Sequence, residues 1–228
     1  MPIYNTIFFD ADDTLLDFKA SENSALQKVF DKHGLIFDEK INEVYQKINN
    51  ALWRRLEEGE ITRQTILETR FPALFNLLDI DLDGRAFNSE YIAILANENY
   101  IIDGALELCT ELAKTHNIYC VTNGIGGVQR RRLAAVGLAP LFSGIFISDE
   151  IGYQKPMKEF FKLAFAGIKN LNLSQSIIVG DSLTSDMRGG NAIGIDTCWY
   201  NPNGLQNTMG CKINYDIRSL SQIPAIVG

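Results

Sequence analysis

Few cysteines, fewer histidines, no basic block and no long apolar run mark this 228-residue chain. Its four cysteines, Cys109, Cys120, Cys198 and Cys211, stand far apart and form no C-x-x-C pair. That spacing argues against a disulfide framework or a thiolate zinc site, and for reduced core cysteines in a cytoplasmic protein. The two histidines, His33 and His116, fall near expected helix ends and form no cluster, so neither is read as a ligand. Without a Lys/Arg block, and with a net charge of −7, the chain is not expected to bind a nucleic acid polymer through its phosphates. No apolar run approaches the ~20 residues that span a bilayer. The N-terminus lacks the charged region and cleavage site of a signal peptide, so no membrane partner is expected and the expected location is the cytoplasm.

What the chain does have is apolar material, 46% of its residues, with 21% charged. That composition suits an ordinary globular core in one or two domains. Ile3 to Phe9 is β-branched or aromatic at most positions and reads as a strand buried on both faces. From about Ser21 to Asn99 the chain reads as helices. Ile41, Val44, Tyr45, Ile48, Leu52 and Leu56 form one apolar stripe, and Gly59 is placed to end that helix. Thr62 is placed to cap the next helix, which Pro72 is expected to kink or interrupt. Beyond Asp103 helices alternate with strands at Ile118 to Val121, Gly144 to Ile147, Ser176 to Val179 and Thr197 to Tyr200. This alternation implies a parallel sheet with right-handed crossovers. The expected fold class is therefore α/β: a Rossmann-like parallel sheet core over residues 1–16 and 101–228, with a helical bundle inserted at 17–100.

Polar residues follow four of these strands. Asp10-Ala11-Asp12-Asp13-Thr14 follows the first, Thr122-Asn123-Gly124 the second, Lys155-Pro156 comes shortly after the third, and Gly180-Asp181-Ser182 with Asp186 follows the fourth. In a parallel sheet these groups meet beyond the carboxyl ends of the strands, where open α/β sheets bind ligands. Carboxylates gathered this closely repel one another unless a positive partner is present. A divalent cation and a phosphate are the partners this inventory suits. One carboxylate can attack phosphorus, a second acid can protonate the leaving oxygen, and Mg²⁺ with a lysine can offset charge on the phosphoryl oxygens.

Asp10-x-Asp12-x-Thr14, Val121-Thr122-Asn123, Lys155-Pro156 and Gly180-Asp181-x4-Asp186 resemble, in order and spacing, the four signature motifs of the haloacid dehalogenase-like (HAD) superfamily. The resemblance covers the whole chain if the helical insertion is that family's type-1 cap. It implies a Mg²⁺-dependent phosphomonoesterase with Asp10 as nucleophile and Asp12 as general acid and then base. Asp10, Asp181 and the backbone carbonyl of Asp12 would hold Mg²⁺. Thr122, Lys155 and backbone amides near Asn123 would hold the phosphoryl group, and Asp186 would orient Lys155 or a metal-bound water. The metal-free dehalogenases of the superfamily lack an acid at the position of Asp12, which favours phosphatase chemistry. Within the superfamily the chain is most similar to bacterial pyrimidine 5′-nucleotidases of the house-cleaning type, through Phe9 to Leu15, the Trp53 region with Gly59-Glu60-Ile61-Thr62, Thr122-Asn123-Gly124 and Thr197-Cys198-Trp199. It departs from the family at Ile101-Ile102-Asp103-Gly104, which lacks the usual Pro before the Gly.

The implied substrate is a small-molecule phosphomonoester, with a nucleoside 5′-monophosphate first. A sugar phosphate such as acylneuraminate-9-phosphate is the alternative, and a phosphomutase or a receiver-like phospho-acceptor module stand further off. Monomer and homodimer are both open. Beside the expected catalytic acids, Asp13 is read as a turn or helix-capping residue, Thr14 as a turn residue and Asp17 as part of the hinge to the cap. Gly124 to Gly127 is read as a flexible strand-to-helix turn, and Arg130, Arg131 and Arg132 as a solvated helix face. Trp53, Arg54 and Arg55 could contact a substrate's leaving group or serve as core and surface.

Overall fold

Six parallel strands form one sheet in a computed structural model that describes residues 3–228. They are β1 (Thr6–Phe9), β2 (Asn117–Thr122), β3 (Gly144–Ile147), β4 (Ser176–Gly180), β5 (Asp196–Tyr200) and β6 (Tyr215–Ile217). Their spatial order is β3-β2-β1-β4-β5-β6, so the first strand lies between β2 and β4. Alternation along β1 feeds two separate cores. Ile7 and Phe9 pack with Cys120, Ile177 and Val179, while Phe8 packs with Tyr119, Val121, Ile178, Phe160 and Phe161. All three β1 side chains are fully buried, and burying each contributes about 1.5–3 kcal/mol. The register pairs Phe9 with Cys120 on one side and with Val179 on the other. Residues just past those positions, Asp10, Thr122 and Asp181, are thereby brought to one edge of the sheet.

The chain divides into two compact units. One combines the N-terminal stretch through Phe18 with Asn99–Gly228, and the other is Lys19–Glu98. The four helices of the insertion are α1 (Phe18–Lys32), α2 (Glu39–Glu57), α3 (Arg63–Leu77) and α4 (Gly84–Leu95). Thr62 caps α3 by accepting from the Thr65 amide at 3.2 Å, as its position in the sequence suggests. The α2 stripe is present, but only Tyr45 and Leu56 of its apolar members are fully buried. A buried polar cluster completes the packing. The Glu22 carboxylate on α1 accepts from Tyr45 Oη (3.0 Å), Asn49 Nδ2 (3.1 Å), Gln46 Nε2 (2.7 Å) and Tyr91 Oη (3.3 Å). Burial pushes the Glu22 carboxyl above its ordinary range, against the pull of these donors and of Arg70.

One of the two outcomes expected at Pro72 is not found, and one strand was not foreseen. Pro72 does not interrupt its helix, since α3 runs unbroken through it. The aromatic cluster of Phe71, Phe75, Phe87 and Tyr91 packs around that turn. Gly84 presses on the Pro72 nitrogen so closely that a Cβ there would lie 2.5 Å from it. The Pro72 ring carbon Cδ would lie 2.6 Å from the same Cβ, so the approach needs a residue without one at position 84. The other miss is β6, three residues at the sheet edge after a polar loop, too short to show a strand pattern in sequence. Among the described residues, no helix is long and apolar enough to cross a membrane.

Candidate active site

The site is built from the ends of β1, β2 and β4 and from the loop that carries Lys155. Asp10 leaves β1 with its amide bonded to the Val179 carbonyl at 2.9 Å, which continues the β1–β4 pairing by one residue. Its side chain is buried and meets Lys155, with Nζ donating to Oδ1 at 2.6 Å. The same ammonium donates to the Val121 carbonyl (2.7 Å) and to Asp186 Oδ1 (2.7 Å). Three acceptors use all three ammonium hydrogens, so Lys155, itself 0% exposed, is locked in one position. Its backbone is pinned as well. Asn123 donates through Nδ2 to the Lys155 carbonyl (2.9 Å) and accepts the Lys155 amide on Oδ1 (2.8 Å). The Asn123 side chain therefore positions the lysine, a task its place in the motif did not reveal.

Asp10, Asp181 and Asp186 each offer a carboxylate oxygen within 4.8 Å of the others. Asp186 is fully buried, and its second oxygen accepts the Ser182 amide at 3.1 Å. Trp199 on β5 fixes the neighbouring backbone by donating Nε1 to the Asp181 carbonyl at 2.7 Å. Burial pushes the Asp10 carboxyl up to about 8; Lys155 opposes the rise and Asp186 adds to it. Asp181 is also held well above its ordinary value, by burial and then by repulsion from Asp10 and Asp186. Burial alone would lower the Lys155 pKa, but the attraction of Asp10 and Asp186 holds it above the usual lysine range. Three acids against one ammonium leave hard oxygen donors short of positive charge, which is why the Asp10 and Asp181 carboxyls are held up. Mg²⁺ suits such a donor set.

Asp12 lies apart from this trio. The turn from 11 to 16 is tight: Leu15 and Leu16 both donate to the Ala11 carbonyl, and Asp13 sits at φ 56° with its amide on the Leu16 carbonyl. Asp13 thus has the turn role expected of it. The Asp12 carboxylate is instead gripped from the helix Gly126–Ala135, where Arg132 Nη1 lies 2.6 Å from Oδ1 and Gln129 Nε2 lies 2.9 Å from Oδ2. Gln129 also donates to Thr122 Oγ1 at 2.9 Å. The Gly124 amide reaches the same oxygen at 3.3 Å. With two N–H groups on its oxygen, the Thr122 hydroxyl keeps its own hydrogen to donate.

Arg132 corrects the reading of Arg130 to Arg132 as a solvated face. Arg130 is exposed and pairs with Glu150 (Nε to Oε1, 2.7 Å), whereas Arg132 is 0% exposed. Successive helical residues point about 100° apart, so three cations in a row cannot share a face. Val128 and Leu133, both buried, fix the inner face of the helix, and Gln129 and Arg132 fall on it. That phase was the signal available in the sequence. In the helical unit, Trp53 is half-buried and Arg54 and Arg55 are exposed, with Arg55 paired to Glu60 at 3.0 Å.

Comparison with known proteins follows the same lines. A family profile described as haloacid dehalogenase-like hydrolase matches residues 4–194. The HAD-hydrolase YfnB of Bacillus subtilis (strain 168) is 40% identical over 223 residues, covering 98% of this chain and 95% of the relative. A magnesium-bound crystal structure of YfnB superposes with a TM-score of 0.93 at 39% identity over 98% of each chain. The pyrimidine 5′-nucleotidase PynA of Streptococcus pneumoniae is 36% identical, covering 96% of this chain and 93% of its own. The pyrimidine 5′-nucleotidase YjjG of Escherichia coli is 30% identical, covering 98% of both.

Proposed function

The chain belongs to the haloacid dehalogenase-like hydrolase family and is a phosphomonoester hydrolase of the HAD type; from that premise we propose that it releases phosphate from nucleoside 5′-monophosphates, with Asp10 as nucleophile and Mg²⁺ as cofactor. The observation that carries the mechanism is the Lys155 ammonium fixed between Asp10 and Asp186. A carboxylate held beside a permanent positive charge can meet a phosphate dianion without prohibitive repulsion.

In the first half-reaction an Asp10 oxygen attacks phosphorus and the bond to the leaving oxygen breaks. Asp12 gives that oxygen its proton, because an alkoxide leaves poorly at neutral pH. In the second, Asp12 takes a proton from water as the water oxygen attacks the same phosphorus. The acyl-phosphate bond breaks, freeing inorganic phosphate and restoring the Asp10 carboxylate. Thr122 donates its hydroxyl hydrogen to a phosphoryl oxygen, and Lys155 offsets the charge throughout. Asp10, Asp181 and the Asp12 carbonyl would hold Mg²⁺, which supplies further charge neutralisation at the phosphoryl oxygens. Asp186 keeps Lys155 in place.

The nucleotide assignment is supported by the names of PynA and YjjG, both relatives over nearly their full length. Assay of released phosphate across nucleoside monophosphates and sugar phosphates, with Mg²⁺ present, tests it. A preference for pyrimidine nucleoside monophosphates is the expected result. A flat profile, or a preference for sugar phosphates, would overturn the nucleotide reading.

A further inference from the structure

The four-residue chain Thr122–Gln129–Asp12–Arg132 joins the group expected at the phosphoryl oxygens to the group expected to move the proton. A carboxylate that must serve as acid and then base needs a fixed direction, because a misplacement of ~1 Å can cost ~10²-fold in rate. The tight turn at 11–16 sets the Asp12 backbone, but its side chain is 28% exposed and would otherwise rotate. We propose that Gln129 and Arg132 are positioning residues that aim the Asp12 carboxylate, and that they act on proton transfer and not on formation of the site as a whole. The proposal rests on the phosphatase mechanism given above.

Three observations carry it. Each Asp12 oxygen has its own donor, Arg132 on Oδ1 at 2.6 Å and Gln129 on Oδ2 at 2.9 Å, so the carboxylate is fixed in rotation as well as in place. The two donors also hold each other, with Arg132 Nη1 donating to Gln129 Oε1 at 3.2 Å. Finally, the surroundings are shaped around the pair. Both residues are buried, the Arg132 guanidinium lies 5.5 Å from the centre of the Phe18 ring, and a Cβ at Gly124 would fall 2.4 Å from Gln129 Cγ. A buried arginine is strongly disfavoured unless a good partner is supplied, and here the partner is the carboxylate the reaction uses.

The test separates the two half-reactions. With Mg²⁺ in excess and substrate saturating, an aryl phosphate with a good leaving group needs little protonation when the Asp10 acyl phosphate forms. An alkyl phosphate needs it fully, and hydrolysis of the intermediate needs the base with either substrate. In Gln129→Met, which also takes one donor from Thr122, the burst of phenol from the aryl phosphate is expected to fall far less than the steady rate. The steady rate that follows is expected to fall ~10–100-fold, and alkyl phosphate turnover to fall in both phases. Arg132→Lys, which keeps the buried charge but loses the planar fork, is expected to give the same pattern in milder form with a melting temperature near wild type. Equal losses in burst and steady rate for both substrates would mean general damage to the site and would overturn the proposal, as would unchanged kinetics in both variants. If wild-type protein gives no burst and no phosphate, it is the phosphatase mechanism that has failed, and the two failures are told apart in one experiment.

Discussion

Lys155 is the residue on which the site's electrostatics turn. Its ammonium faces two buried carboxylates and a carbonyl, and no water is needed to complete its hydrogen bonds. Removing one partner of such a buried group leaves the other uncompensated, at about 3–5 kcal/mol. Lys155→Met is therefore expected to lose about that much stability at pH 7 in urea denaturation of the metal-free protein, together with its turnover. A loss below about 1 kcal/mol would mean that the lysine does not carry the charge balance. Asp10, Thr122 and Asp181 were legible in the sequence because each ends or follows an apolar strand at a motif position, and Lys155, well past β3, because of its motif with Pro156. Gln129 and Arg132 were hidden by their neighbours: a run of three arginines reads as surface until the helix phase set by Val128 and Leu133 is applied to it. The Asn123 side chain was hidden for another reason, since its partners are backbone atoms 32 residues away.

Among the elements, α1 joins its neighbours through a buried apolar face, Ala25, Leu26, Val29 and Phe30, and through one buried carboxylate. Glu22 accepts four hydrogen bonds from α2 and α4, so its loss would deprive three buried donors, on Tyr45, Asn49 and Tyr91, and the half-buried Gln46 amide of this acceptor. Glu22→Ala is expected to destabilise the helical unit by about 3–5 kcal/mol. Amide hydrogen exchange would show faster exchange in Lys19–Glu98 and little change in the sheet; unchanged exchange there would count against the network's role. At this scale the sequence was most readable where a period was strong. The strand Gly144–Ile147 matches expectation residue for residue, and β2, β4 and β5 differ from it only at their ends. That Pro72 leaves α3 uninterrupted was not legible because the proline rule is local, while the aromatic packing around that turn is tertiary.

For the whole molecule, the acid trio links stability to pH and to cation. The Asp10 carboxyl titrates at about 8 in the folded, metal-free protein and at its ordinary 3.8 when unfolded. Between those values the folded state holds a proton that the unfolded state has released, so stability falls as pH rises through this window. In EDTA the melting temperature is expected to drop from pH 5 to pH 9. Mg²⁺ at 100 times its Kd would add about 2.7 kcal/mol, roughly 5–11 °C for a chain of this size, with its largest effect at the alkaline end. A melting temperature that rises with pH in EDTA, or one that ignores Mg²⁺, would contradict this linkage. The central claim, that Asp10 carries the phosphoryl group, is tested most directly by measuring phosphate release from Asp10→Asn with Mg²⁺ present, alongside a thermal melt. The account predicts a folded protein without turnover; a folded variant that turns over at the wild-type rate would contradict it.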